Sequence, residues 1–147
     1  MSDSTAIEEI KIATGKLIPS HAAEIFSTVS DADLLELVQA IDTCETKAGA
    51  LESLGRSLGS GATGKPAIEE ARMMLARLGQ SIRSAICGSD TVREAVKRPA
   101  LASTYVIAAL VLHALLKAQV AGSLNVYLVA VVAVRGGLED LCRKEWS

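Results

Sequence analysis

The chain has 147 residues, of which half are apolar and only four are aromatic, and its formal net charge is −2. The length predicts one helical domain over 1–147, with a subdivision into amphipathic helices over 1–98 and an apolar hairpin with a C-terminal turn over 99–147. A core of Ala, Leu, Val and Ile favours packed helices over a sheet, and the lack of a large cationic excess argues against nucleic acid as a partner.

The first third of the chain predicts two short helices and a helix start. An apolar side chain recurs every three or four residues over 4–18, which indicates an amphipathic helix that ends before Pro19. A helix of one or two turns follows over 22–28. Ser30 with Asp33 three residues later resembles a capping box and marks the next helix start. The first helix takes its spacing from Ile7, Ile10, Thr14 and Leu17.

Two heptad seams follow and predict an antiparallel helical hairpin over about 31–87. Pro66 is predicted to occupy the first position of the second helix. The first seam consists of Leu34, Leu37, Ile41, Cys44, Ala48, Leu51, Gly55 and Leu58, and it predicts one continuous helix. The second seam consists of Ile68, Ala71, Leu75, Leu78, Ile82 and Ala85.

The stretch 101–134 carries one formal charge, Lys117. It predicts two helices, 101–117 and 124–134, joined by a turn around Gly122 and Ser123 and forming a central apolar C-terminal hairpin over about 100–134. A short basic helix capped by Ser89 or Asp90 precedes it, and a last amphipathic turn or two follows over 138–146. The predicted fold class is therefore an all-α helical bundle.

The three cysteines are widely spaced and form no C-x-x-C pair. This pattern argues against a disulfide framework and against a zinc site, and it suits a reducing compartment. Cys142 is expected to be the most exposed of the three. The N-terminus lacks the basic and apolar regions of a signal peptide, so a cytoplasmic location is predicted.

No catalytic, cofactor or metal motif is found. The loop Gly59–Pro66 resembles a phosphate-binding P-loop, but Pro66 replaces the hydroxyl residue that would hold magnesium, and a helix rather than a strand precedes it. His113 and Lys117 lie one helical turn apart and form a polar pair on an otherwise apolar helix. Since the run around them contains no carboxylate, they predict neither catalysis nor a proton relay.

The predicted function is therefore non-enzymatic association, with a second copy or with another helical protein, in a structural or adaptor role. An acidic N-terminal part and a basic middle would orient such contacts. The alternative is a cytoplasmic protein that inserts its C-terminal hairpin into a membrane, as a pore-former or small effector. The core or interface candidates are Leu34, Leu37, Ile41, Leu51, Leu75, Leu78, Ile82, Val111, Leu115, Leu128 and Val131.

Overall fold

The computed structural model describes residues 3–120 and 125–146, and all regular structure in these ranges is helical. The predicted all-α class is confirmed. The turn predicted at Gly122 and Ser123, and the helix start predicted at Leu124, lie outside the described residues. In chain order the helices are α1 (Asp3–Leu17), α2 (Ala22–Thr28), α3 (Asp31–Thr43), α4 (Lys47–Ser57), α5 (Gly64–Cys87), α6 (Asp90–Val96), α7 (Thr104–Lys117), α8 (Val126–Gly136), α9 (Leu138–Leu141) and α10 (Arg143–Trp146).

Helix α7 lies at the centre of the bundle. It packs against α1, α2, α3, α5, α6 and α8, and its residues 108–115 are all buried. A helix covered on every side needs apolar residues all round, which explains the nearly uncharged sequence in this region. The apolar run is therefore covered by the amphipathic helices that precede it in the chain.

Helix α8 lies beside α7 and forms with it the predicted apolar hairpin. Although α8 is rich in β-branched residues, it is helical, and the Asn125 side chain accepts a hydrogen bond from the Leu128 amide at 3.1 Å to begin it. Tertiary packing overrides the strand preference of these residues. Of the helices in the described ranges, none combines the length and the apolar character needed to cross a lipid bilayer.

The helix predicted to run without interruption from residue 31 to about residue 58 is two helices, α3 and α4. Thr46 accepts a hydrogen bond from the Gly49 amide at 3.0 Å and begins α4. The Arg135 guanidinium donates to the carbonyl oxygens of Cys44 and Ile41 at 3.0 and 3.1 Å. These bonds satisfy carbonyl groups that the end of α3 leaves without helical partners. The heptad spacing runs across the break and so could not reveal it.

Helices α4 and α5 form the predicted antiparallel pair. Gly55 near the end of α4 lies against Ala67 near the start of α5, and a Cβ on Gly55 would be only 2.5 Å from the Ala67 carbonyl carbon. Leu51, one turn earlier on α4, lines the same cleft as Leu75 and Ile82 farther along α5. The glycine that interrupts the apolar seam is thus the point at which the two backbones approach most tightly.

Two of the predicted helix starts are confirmed. The Ser30 hydroxyl accepts from the Asp33 amide at 3.1 Å, and the Asp33 carboxylate accepts from the Ser30 amide at 2.9 Å, which completes a capping box. Ser89 begins α6. Helix α5 begins at Gly64, so Pro66 is its third residue and not, as predicted, its first. Its missing amide proton costs no helical bond there, because the first turn has no helical acceptors.

The cysteine prediction is wrong, because Cys87 and Cys142 form a disulfide with their Cα atoms 5.4 Å apart. Cys142, predicted to be exposed, is 0% exposed. Gly137, with φ of +92°, turns the chain after α8 so that α9 and α10 return to the end of α5. Cys44 is free and buried. The cysteine pattern therefore gives no support to the predicted reducing compartment.

Candidate functional site

Nine of the eleven predicted core or interface residues are buried, and the other two, Leu75 and Leu78, are only partly covered. Both lie on α5. They mark the portion of the predicted seam that the rest of the bundle leaves open. The buried nine are Leu34, Leu37, Ile41, Leu51, Ile82, Val111, Leu115, Leu128 and Val131.

An apolar cleft of about 450 Å³, here called the α5 cleft, runs beside this open portion. Helix α5 has 24 residues and α4 only 11, so α4 cannot cover the length of its neighbour. Between residues 72 and 81, no α5 side chain is fully buried. The volume is within the range of protein binding pockets. Its apolar walls include Leu51, Leu75, Ile82, Val129, Val132 and Leu141.

The rim of the α5 cleft is cationic. Lys47, Arg72 and Arg83 line it, against one carboxylate, that of Asp140. Asp140 already pairs with Arg143. Within residues 3–120 and 125–146, neither Lys47 nor Arg83 forms an ion pair, and Arg72 has only an exposed contact with a glutamate of its own helix. The arrangement suits an apolar surface that carries carboxylates.

Helices α1 and α3 present a surface of the opposite charge. They pack side by side and are joined by an ion pair of 2.6 Å between Lys11 and Asp31. Each carries a large apolar side chain in contact with solvent, Ile12 at 51% exposure and Leu35 at 38%. The acidic surface, as it is called below, consists of these two side chains and the exposed carboxylates of Glu8, one turn before Ile12, and Glu36, next to Leu35.

A second cleft, of about 310 Å³, is polar and surrounds His113. The predicted pair, His113 and Lys117, both line it, together with His21, Glu24 and Thr91. The Lys117 ammonium donates to the Glu24 carboxylate at 2.9 Å. The apolar run contains no carboxylate, but α2 supplies one to the predicted polar pair.

His113 is an unusual buried base. It is 5% exposed, and its Nε2 atom has no hydrogen-bond partner among the described residues. Burial lowers its pKa, and the negative charge of Glu24 partly offsets this. The hydrogen bond and the charge of Lys117 lower the pKa of Glu24 in turn. The cleft therefore holds a neutral imidazole beside an ion pair at pH 7.

In the described part of the chain, no cluster of His, Cys, Asp and Glu is arranged to bind a metal ion.

The lowered pKa of His113 gives stability a definite dependence on pH. As the pH falls through the unfolded value of about 6.5, the unfolded chain takes up a proton that the folded protein resists, so the free energy of unfolding should decrease. His113→Gln should flatten this slope between pH 7.5 and 5.5 in urea titrations. His21→Gln is the comparison and should change the slope much less, because His21 is exposed and its charge lowers the pKa of His113 less than burial does. Equal slopes in parent and His113→Gln would contradict the assignment.

Comparison of the chain with known protein families, with curated proteins and with solved structures gives no match. Function is therefore inferred from the two clefts and the charged surfaces themselves.

The sequence indicated part of the α5 cleft. The sequence shows the basic middle of the chain, which includes Arg72 and Arg83 of the rim. It also shows the apolar seam that includes Leu75. The wall formed by Val129 and Val132 carries no sequence signal, because it depends on where α8 packs. The approach of Glu24 to Lys117, 93 residues apart, is likewise a product of the fold.

Proposed function

We propose that this protein functions by self-association, in which the α5 cleft of one copy binds the acidic surface of the next. The observation that carries the proposal is the match between an apolar cleft with a cationic rim and an apolar surface with an anionic border on the same molecule. Self-association belongs to the class of function that the sequence predicts, which is association and not catalysis.

The apolar contribution comes from side chains that the fold leaves partly uncovered. Leu75, which lines the cleft, belongs to a heptad seam, and such seams are normally covered by a partner helix. Ile12 and Leu35 are large side chains held in contact with solvent. Bringing the two groups together removes apolar area from water, at roughly 25 cal/mol for each Å² buried.

The charges give the contact its orientation. Lys47, Arg72 and Arg83 line the cleft. Glu8 and Glu36 are adjacent in sequence or by one helical turn to the apolar side chains of the acidic surface. Complementary charges at the rim of an interface speed association and exclude wrong orientations, more than they add affinity. Copies that meet cleft to cleft would place cations against cations and should be disfavoured.

The proposed contact joins two different surfaces, so it is head-to-tail. A head-to-tail contact leaves one free cleft and one free acidic surface at the ends of every open assembly. Copies therefore add until a ring closes, or else continue as a filament. Helical proteins that present an acidic amphipathic face could occupy the cleft in the same manner, as an adaptor role would require.

Two double variants test the proposal. The first, Arg72→Glu with Arg83→Glu, reverses the charge at the rim of the cleft, and the second, Ile12→Asp with Leu35→Asp, removes the exposed apolar side chains of the acidic surface. Both altered halves are then negatively charged and repel each other. Each should be monomeric by light scattering and sedimentation equilibrium at concentrations where the parent assembles, because each lacks one half of the contact. An equimolar mixture should form a dimer and nothing larger, since each variant retains the half that the other lacks.

Arg77→Glu is the matched control, because Arg77 is an exposed arginine of α5 outside the cleft lining. It should assemble like the parent. A monomeric parent, variants that assemble like the parent, or a mixture that stays monomeric would each refute the proposal. In the last case, a parent that still assembles would point to a symmetric contact elsewhere.

A further inference from the structure

One wall of the α5 cleft belongs to the C-terminal segment. Gly137, Asp140 and Leu141 of the segment that follows α8, residues 137–146, line the cleft together with residues of α5. The next residue, Cys142, is bonded to Cys87, the last residue of α5. The disulfide therefore joins two walls of the cleft covalently.

Besides the disulfide, two short helices, their apolar side chains and a few hydrogen bonds hold the described residues of this segment, 137–146; Leu141 and Trp146 pack against the core. Helices α9 and α10 have four residues each, too few for a helix to be stable alone in water. Besides the buried Leu138, the Trp146 indole donates to the Cys87 carbonyl oxygen at 2.9 Å, and Arg93 donates to the Trp146 carbonyl oxygen at 3.4 Å. Gly137, with its positive φ, connects the segment to α8 and can rotate more freely than any other residue type.

We propose that the Cys87–Cys142 disulfide is a redox latch that holds the wall of the α5 cleft in place, so that its reduction opens the cleft and weakens self-association. This inference rests on the proposed function, and it adds a means of regulating the same site. The latch requires a dithiol reductant or a dithiol oxidoreductase as its co-reactant.

The reaction is an ordinary thiol–disulfide exchange. A thiolate of the reductant attacks one sulfur of the Cys87–Cys142 bond, and the other cysteine leaves as a thiolate and takes up a proton. The second thiol of the reductant then attacks the mixed disulfide, releasing the remaining cysteine. Two electrons pass from the dithiol to the protein, which gains two thiols while the reductant becomes a disulfide.

The burial of both cysteines couples the latch to assembly. Cys87 is 6% and Cys142 0% exposed, so a reductant reaches the bond only when the segment moves away. A second copy bound in the cleft should hold the segment closed and shift the equilibrium between disulfide and dithiol toward the disulfide. By linkage, reduction should weaken binding of that copy to a corresponding degree.

Trp146 provides the test, because it is the single tryptophan of the chain and belongs to the latched segment. Thiols counted after unfolding in denaturant should number one in the oxidised protein, that of the buried Cys44, and three in the reduced protein. On reduction with dithiothreitol, Trp146 emission should move to longer wavelength and become more accessible to acrylamide, while far-ultraviolet circular dichroism keeps its helical signal. The dissociation constant of the assembly should rise about tenfold or more.

Cys87→Ala with Cys142→Ala should reproduce the reduced state without dithiothreitol. Cys44→Ala removes the free thiol and keeps the disulfide, so it should behave as the oxidised parent and respond fully to the reductant.

An unchanged Trp146 signal with three free thiols would refute the latch, whether or not the protein assembles. A changed signal with an unchanged dissociation constant would refute control of the cleft. Loss of the helical signal would also refute a local latch, because reduction would then unfold the bundle. A parent that is monomeric when oxidised refutes the proposed function alone, and the Trp146 signal still decides whether the segment is released.

Discussion

Val111→Asp should lower the free energy of unfolding by about 4 to 5 kcal/mol or more. Val111 is 0% exposed and lies in the buried part of α7, the helix around which the bundle is packed. An aspartate there would bury a carboxylate without a cation to pair with, or would have to take up a proton. Since most domains have only about 5 to 15 kcal/mol of stability, much of the folded population should be lost. Urea unfolding followed by circular dichroism measures the change.

The matched control is Met73→Asp. Met73 is also helical and apolar, but it is 61% exposed, and its replacement should change the unfolding free energy by no more than about 0.5 kcal/mol. If Val111→Asp were as stable as this control, α7 could not be the centre of the core. Val131→Asp, in the buried part of α8, should repeat the result for Val111.

Gly55→Ala should destabilise the protein even though alanine is the better helix former. Helix propensity alone favours the change by about 1 kcal/mol. The new Cβ would, however, lie 2.5 Å from the carbonyl carbon and 2.9 Å from the Cα of Ala67, both backbone atoms that cannot rotate away. Separating α4 from α5 to relieve this overlap should cost about 3 kcal/mol, for a net loss of about 2 kcal/mol or more. Thermal and urea unfolding would both report it.

Gly15→Ala shows what the same substitution does without the close approach. Nothing lies within 4 Å of a Cβ built on Gly15, which is also helical. Stability should therefore rise by about 0.5 to 1 kcal/mol. A Gly55→Ala variant that gained stability in the same way would show that the α4–α5 contact is looser than the structure indicates.

Local signals predicted most of the helices. The Ser30–Asp33 pair begins α3, Ser89 begins α6, and the uncharged run forms the two central helices, because capping and apolar periodicity act within a few residues. The break between α3 and α4 was missed because the carbonyl groups at the end of α3 bond to Arg135, more than 90 residues away.

The sites were predicted less completely than the helices, for the same reason. The pairing of Cys87 with Cys142 depends on a turn at Gly137 that returns the chain to α5, and cysteine spacing holds no information about that turn. The neutral His113 depends on its burial and on Glu24 from α2. What the sequence did supply was the list of residues at which to look: the α5 seam, and His113 with Lys117.

The central position of α7 has a consequence for synthesis of the chain. Helices α1, α2, α3, α5 and α6 all pack on a helix that begins only at Thr104. At about 5 to 20 residues per second, the ribosome takes several seconds to make the first hundred residues. During this time the apolar faces of these five helices lack the helix that will cover them. Such nascent chains expose surface that chaperones bind, so the final order of the bundle should be reached only when the last third of the chain has emerged.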